Sequence, residues 1–112
     1  MDHGDYRELF STLANYSRMS IVQLLRRNVA TVTQIAESLG YEQSRVSHSL
    51  ARLQRAGIVG CRWEQKRKLF YLVEDAAPLL RQADLYLQGR KLRPNGASRH
   101  AWADGAWAAA SE

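Results

Sequence analysis

Two glycines, and the residues they separate, constrain this chain more than any other feature. In TVTQIAESLGYEQSRVSHSLARLQRAG, from Thr31 to Gly57, apolar residues recur twice at helical spacing. Val32, Ile35, Ala36 and Leu39 form one stripe, and Val46, Leu50 and Leu53 form another. Thr31 and Gln34 stand at capping-box spacing, so the first of these helices starts there. Gly40 ends it and Gly57 ends the next, since glycine adopts the left-handed conformation that closes a helix. Only the tight turn at Tyr41-Glu42-Gln43 separates the two.

The outer arc of the second helix is polar and basic. Ser44, Arg45, Ser47, His48, Arg52 and Arg55 gather opposite its three apolar anchors, and Gln43 opens the helix. From Arg45 to Lys68 there are seven Lys or Arg and one acid, Glu64, within a chain of net charge +5. That concentration suggests a polyanionic partner. Two runs rich in β-branched and aromatic residues follow, IVGCRW and KLFYLV, separated by EQKR. They read as a β-hairpin with a basic tip at Lys66, Arg67 and Lys68.

On the N-terminal side, Tyr6, Leu9, Phe10 and Leu13 mark one helix, and YSRMSIVQLLRR a second, largely buried one with Ser17 as N-cap. On the C-terminal side, DAAPLLRQADLYLQG reads as a last helix with Pro78 in its first turn. Leu79, Leu80, Ala83, Tyr86 and Leu87 form its apolar face. The expected fold is mainly α with one small β-hairpin: four helices, two strands and a final helix, a winged helix-turn-helix. One domain over residues 1–88 is expected. Residues 89–112, which hold three of the seven glycines, are expected to be a disordered tail in which Trp102 and Trp107 are either incidental or a docking element.

In that geometry the second helix of the motif lies in the major groove of double-stranded DNA. Gln43 can pair bidentately with adenine and Arg45 with guanine, while Ser44, Ser47 and His48 donate to bases or phosphates. Lys66, Arg67 and Lys68 at the wing tip either straddle the DNA backbone or enter the minor groove, and Arg52 and Arg62 are assigned to the DNA-binding surface as well. His48 otherwise reads as an ordinary surface histidine. Arg18 is expected to pair inside the fold. Glu42 repels phosphate, so it either aims at cytosine N4 or favours the helix dipole.

LFSTLANYSRMSIVQLL resembles the opening of the ArsR-type repressors, the arsenic and metal sensors. QIAESLGYEQSRVSHSLARLQRAGIV is similar to that family's helix-turn-helix almost position by position, and LFYLV to its second wing strand. The resemblance implies a homodimer built on the first and last helices, bound to an imperfect palindrome and repressing until an effector intervenes. The stripes Tyr6, Leu9, Phe10, Leu13 and Leu79, Leu80, Ala83, Tyr86, Leu87, with little else to cover them, are the expected interface.

The same resemblance places a Cys-x-Cys metal pair where this chain has Thr31 and Thr33. A second family site on the last helix keeps only Asp75, with Ala77, Gln88 and Lys91 at its other positions. No metal and no cofactor are therefore expected, and the effector is unknown. Cys61, the only cysteine, reads as a small packing residue or as a redox-responsive thiol beside Arg62. A single cysteine and the absence of a leader or long apolar run lead us to expect a cytoplasmic protein without a membrane partner. No nucleophile–base pair, carboxylate pair or phosphate loop supports an enzyme. A winged-helix module that binds protein is the alternative of a different class.

Overall fold

The computed structural model describes residues 1–92. Its elements are α1 (His3–Leu13), α2 (Tyr16–Leu25), α3 (Val32–Leu39), α4 (Gln43–Arg55), β1 (Val59–Glu64), β2 (Arg67–Leu72) and α5 (Ala76–Leu92). The strands form one antiparallel hairpin, and the order is that of a winged helix-turn-helix. Met1–Ala77 is one compact unit, and a second begins at Pro78.

The core of the first unit is built from the expected stripes. Ile21 and Val22 of α2, Ile35 of α3, and Val46, Leu50 and Leu53 of α4 are all at most 1% exposed. Burying one such side chain contributes roughly 1.5–3 kcal/mol, so truncation at any of them threatens the whole unit. Thr31 and Gln34 form the reciprocal capping box that starts α3. Gly40 (φ +70°) lets the Tyr41 N–H donate back to Ala36 C=O at 3.1 Å. Gly57 (φ +76°) does the same for the Ile58 N–H and Leu53 C=O at 3.0 Å. Both closures satisfy carbonyls that a helix end leaves unpaired, and both turn the chain sharply.

Four local expectations need correction. Asn15 rather than Ser17 caps α2, its side chain accepting from the Arg18 N–H at 3.0 Å, and this starts the helix earlier. An aspartate capping box at Asp2 and Asp5 likewise draws the start of α1 back to His3. The wing loop is two residues long, Gln65-Lys66, with Glu64 paired to Arg67. Arg67 and Lys68 therefore lie in β2, and only Lys66 occupies the tip. Both loop residues have positive φ (51° and 67°), the twist a two-residue hairpin needs to match its strands. Finally, α5 passes through Gly89 to Leu92, beyond the helix end expected at Gly89. A helical glycine costs only about 0.5–1 kcal/mol against alanine, and Arg90 and Lys91 favour the carbonyl end of the dipole. The rest of the expected tail, with Trp102 and Trp107, lies outside the described residues.

The hairpin is also tied to the helices by a bridge that periodicity does not reveal. Ala30, in the loop before α3, exchanges two backbone hydrogen bonds with Phe70 of β2, at 2.8 and 3.1 Å. Phe70 and Leu69 are both 4% exposed, so the base of the wing belongs to the core.

Candidate nucleic-acid interface

The candidate interface grows from the amphipathicity of α4. Its buried side is Val46, Ser49, Leu50 and Leu53, so the helix rotation presents Gln43, Ser44, Arg45, Ser47 and His48 outward, all exposed. No acid lies in the helix. Glu42 occupies the N-cap without a side-chain hydrogen bond, so it does not stopper the positive end of α4.

Two of these side chains are held in place before any partner arrives. The Arg45 guanidinium stacks 3.7 Å from the Tyr41 ring centroid, and its Nε donates to Ser17 Oγ at 2.8 Å. Its two terminal nitrogens are the ones a guanine edge or a phosphate would use. Gln43 Nε2 donates weakly to Thr33 Oγ1, at 3.4 Å. Ser17, Tyr41 and Thr33 are thus parts of the arrangement that periodicity does not single out. Tyr41 is itself oriented, donating its hydroxyl to Ser20 Oγ at 3.2 Å.

Between the start of α2 and α4 runs a cleft of about 400 Å³ lined by Asn15, Ser17, Arg18, Ser44, Arg45, His48 and Ser49. It has no acidic lining. Arg18 is committed elsewhere, as expected for a residue that pairs inside the fold. Its Nε donates to Thr12 C=O at 2.6 Å and its Nη2 to Ser11 C=O at 3.2 Å, so it caps the carbonyl end of α1. Arg52 is engaged too. Its Nη1 meets Glu8 Oε1 of α1 at 2.8 Å, with the Arg52 side chain 31% exposed. Arg52 shares the helix face of Arg45 and His48, two turns beyond the first and one beyond the second, but its guanidinium is paired with a carboxylate.

The wing carries Arg62, Lys66, Arg67 and Lys68, all exposed. Arg62 Nε meets Glu64 Oε2 at 3.3 Å, and Lys68 Nζ lies 5.5 Å from the Phe70 ring centroid. The side chains of Lys66 and Arg67 make no hydrogen bond or ion pair with the described residues. Opposite Gly60, the Tyr71 ring sits where a Cβ would approach it to 2.7 Å, so this position takes glycine because the ring crosses the strand. Cys61 is half-buried, and its Sγ accepts from Gln54 Nε2 at 3.3 Å.

Thr31 and Thr33, which the resemblance aligns with a Cys-x-Cys pair, each accept one hydrogen bond. Thr31 Oγ1 accepts from the Gln34 N–H, and Thr33 Oγ1 from Gln43. Among the described residues no three His, Cys, Asp or Glu side chains come together as metal ligands would. Of the apolar stripes, Leu13 (9%) and Leu80 (5%) are buried, and Leu9 is half-buried. Tyr6 (55%) and Phe10 (56%) on α1 are exposed, as are Leu79, Ala83, Tyr86 (67%) and Leu87 (52%) on α5, with Leu85 (54%) an addition to the expected set. No helix among the described residues is long and apolar enough to cross a membrane.

Comparison with known proteins agrees with this geometry. The model of bacterial regulatory proteins of the arsR family matches residues 15–60, which run from the α2 cap into the wing. The chain is 35% identical over 69 residues to the uncharacterised HTH-type transcriptional regulator MJ1325 of Methanocaldococcus jannaschii, covering 61% of this chain and 78% of that protein. It is 47% identical over 47 residues to the HTH-type transcriptional regulator NmtR of Mycobacterium tuberculosis, covering 42% of this chain and 39% of that protein. The match therefore spans well under half of NmtR. Among solved structures, the homodimeric winged helix-turn-helix DNA-binding domain of Mb0332 from Mycobacterium bovis, a possible ArsR-family regulator, superposes with a TM-score of 0.74. That pair is 25% identical and covers 82% of this chain and 86% of the other. With its capped helix-turn-helix, basic wing and these relatives, the chain belongs to the ArsR family of DNA-binding transcriptional regulators.

Proposed function

We propose that the chain is a sequence-specific repressor, acting in the cytoplasm as a homodimer on a near-palindromic operator in double-stranded DNA. It does so without the family's thiolate or histidine metal sites. The observation that carries this reading is the exposed, acid-free arc of α4, with Arg45 already stacked and hydrogen-bonded at its N-terminal turn. A helix presented this way reads base edges with its first residues while the wing holds the backbone. Support for the dimer comes from Tyr6 and Phe10 on α1, and from Leu85, Tyr86 and Leu87 on α5, each more than half exposed. A homodimer is also the state described for Mb0332.

The test is selection of bound duplexes from random DNA, followed by anisotropy across a salt series. A selected palindrome should bind at least about a thousandfold tighter than random duplex, and affinity should fall steeply with salt. Equal affinity for both would overturn sequence-specific reading, and a monomer by sedimentation at micromolar concentration would overturn the dimer. The same titration with zinc, nickel, cadmium or arsenite at low micromolar levels addresses the metal-free clause. Operator affinity should stay within about threefold, below the ~1–3 kcal/mol typical of allosteric coupling. Stoichiometric release by any one ion would overturn that clause.

A further inference from the structure

We propose that Trp63 is a DNA-contacting residue, its indole lying against the sugar–phosphate strand that borders the groove the wing enters. Trp63 is 71% exposed, although an indole offers on the order of 200 Å² of apolar contact. Its position on the hairpin accounts for what it would meet. Strand alternation puts Trp63 on the same face as Cys61 and Val59, and the register puts Lys68 and Phe70 there from the other strand. The Cys61 thiol accepts from Gln54 of α4, so this is the face turned toward the recognition helix. Val59 and Phe70 at its base are buried at 3% and 4%, and Trp63 continues the row outward to where the fold no longer covers it.

Lys68, its cross-strand partner, is the cation on the same face as the indole, and Lys66 follows at the turn. Arg62 and Arg67 lie on the opposite face, with Arg62 5.7 Å from the Tyr71 ring centroid. The one acid nearby, Glu64, is already held by Arg62 at 3.3 Å. An apolar plate with an ammonium beside it on the same face suits a polyanion with apolar sugars between its charges, and duplex DNA presents that surface along each strand. The indole is uncharged, so its contribution differs in kind from that of the lysines: it adds affinity without releasing counterions.

The proposal rests on the DNA-binding reading, and the experiment separates the two. In the full chain with Trp102→Phe and Trp107→Phe, Trp63 is the only indole. Adding selected or random duplex should shift its emission in step with the anisotropy of labelled DNA. In that background Trp63→Ala should weaken both duplexes by about tenfold while leaving the slope of log affinity against log salt unchanged. Trp63→Phe should recover most of the loss. Duplex binding with unmoved emission would overturn the proposal, and that arm does not depend on a substituted wing folding. So would a Trp63→Ala protein that binds like its parent, or one whose salt slope falls by about one as though a phosphate contact were lost. A parent that binds no duplex at all overturns the DNA-binding reading itself, and the Trp63 contact with it.

Discussion

Arg45 on α4 and Lys66 on the wing are both exposed cations, yet one is fixed and the other only tethered. Arg45 is pinned by Tyr41 on one side and Ser17 on another. Lys66 stands at a loop tip, and its side chain makes no hydrogen bond or ion pair among the described residues. Immobilising a long side chain at an interface costs about 0.5–1.5 kcal/mol, and for Arg45 much of that ordering has already occurred in the unbound fold. A planar, oriented fork favours one base edge over another, whereas a mobile ammonium favours any phosphate. Under the proposed function the two regions divide the work: α4 is expected to discriminate among sequences and the wing to add grip to all of them.

The largest effects that would break this division lie at the N-terminal turn of α4. Arg45→Ala and Gln43→Ala should each relax preference at one or two base positions, by about 1–3 kcal/mol, and change random-duplex affinity little. Competition binding on operators varied one base pair at a time measures this. Equal losses on operator and random duplex would mean that α4 does not read bases.

A smaller effect tests the pinning itself. Tyr41→Leu leaves Arg45 in place but removes the ring beneath its guanidinium, and Ser17→Ala removes the acceptor of its Nε. Each should weaken operator binding severalfold, about 1 kcal/mol, by restoring the disorder of the arginine before binding. In a double-mutant cycle with Arg45→Ala, the loss should vanish once the arginine is gone. An additive cycle would show that Tyr41 and Ser17 act independently of Arg45.

These two residues also show where reading along the chain reaches its limit. The capping box at Thr31 and Gln34, the turns at Gly40 and Gly57 and the stripes of α3 and α4 depend on residues within a few positions of each other, so local spacing is enough to find them. Ser17 and Arg45 are 28 residues apart, and Glu8 and Arg52 are 44 apart. Their pairing is set by how α1, α2 and α4 cross, which periodicity does not encode. The wing tip differs from the sequence expectation for another reason. A two-residue hairpin loop favours Asn-Gly, and here Gln65-Lys66 takes positive φ without that signature, because the strand pairing on either side over-determines it.

That conformation lets stability and binding be pulled apart in the wing. Lys66→Gly removes both an L-residue at φ 67° and a charge. Thermal stability should rise, by up to about 1 kcal/mol, since glycine adopts this φ freely. Duplex affinity should meanwhile fall a fewfold on all sequences, and the salt slope should become shallower by about one. A sequence-dependent loss would place Lys66 on a base and erase its contrast with Arg45.

The smallest expected change concerns Arg52, which lies on α4 but belongs to neither class. Its charge makes it a natural phosphate ligand by sequence, yet its guanidinium reaches back 2.8 Å to Glu8 on α1. Glu8 already neutralises the guanidinium through Nη1, so a phosphate reached by its other N–H groups would gain little net Coulomb energy while that pair holds. Arg52→Ala should therefore leave both operator affinity and salt slope nearly unchanged. The side chain is 31% exposed and its partner 54%, so the pair is partly screened and its loss should cost only about 0.2–1 kcal/mol of stability. Glu8→Gln provides the sharper control, because it keeps the shape at position 8 while releasing Arg52. If the engaged arginine is being withheld from DNA, this change should strengthen binding to all duplexes and steepen the salt slope by about one. If Arg52→Ala instead shallows the slope in the otherwise unaltered chain, Arg52 leaves Glu8 when DNA arrives, and α1 is coupled to the recognition helix through that exchange.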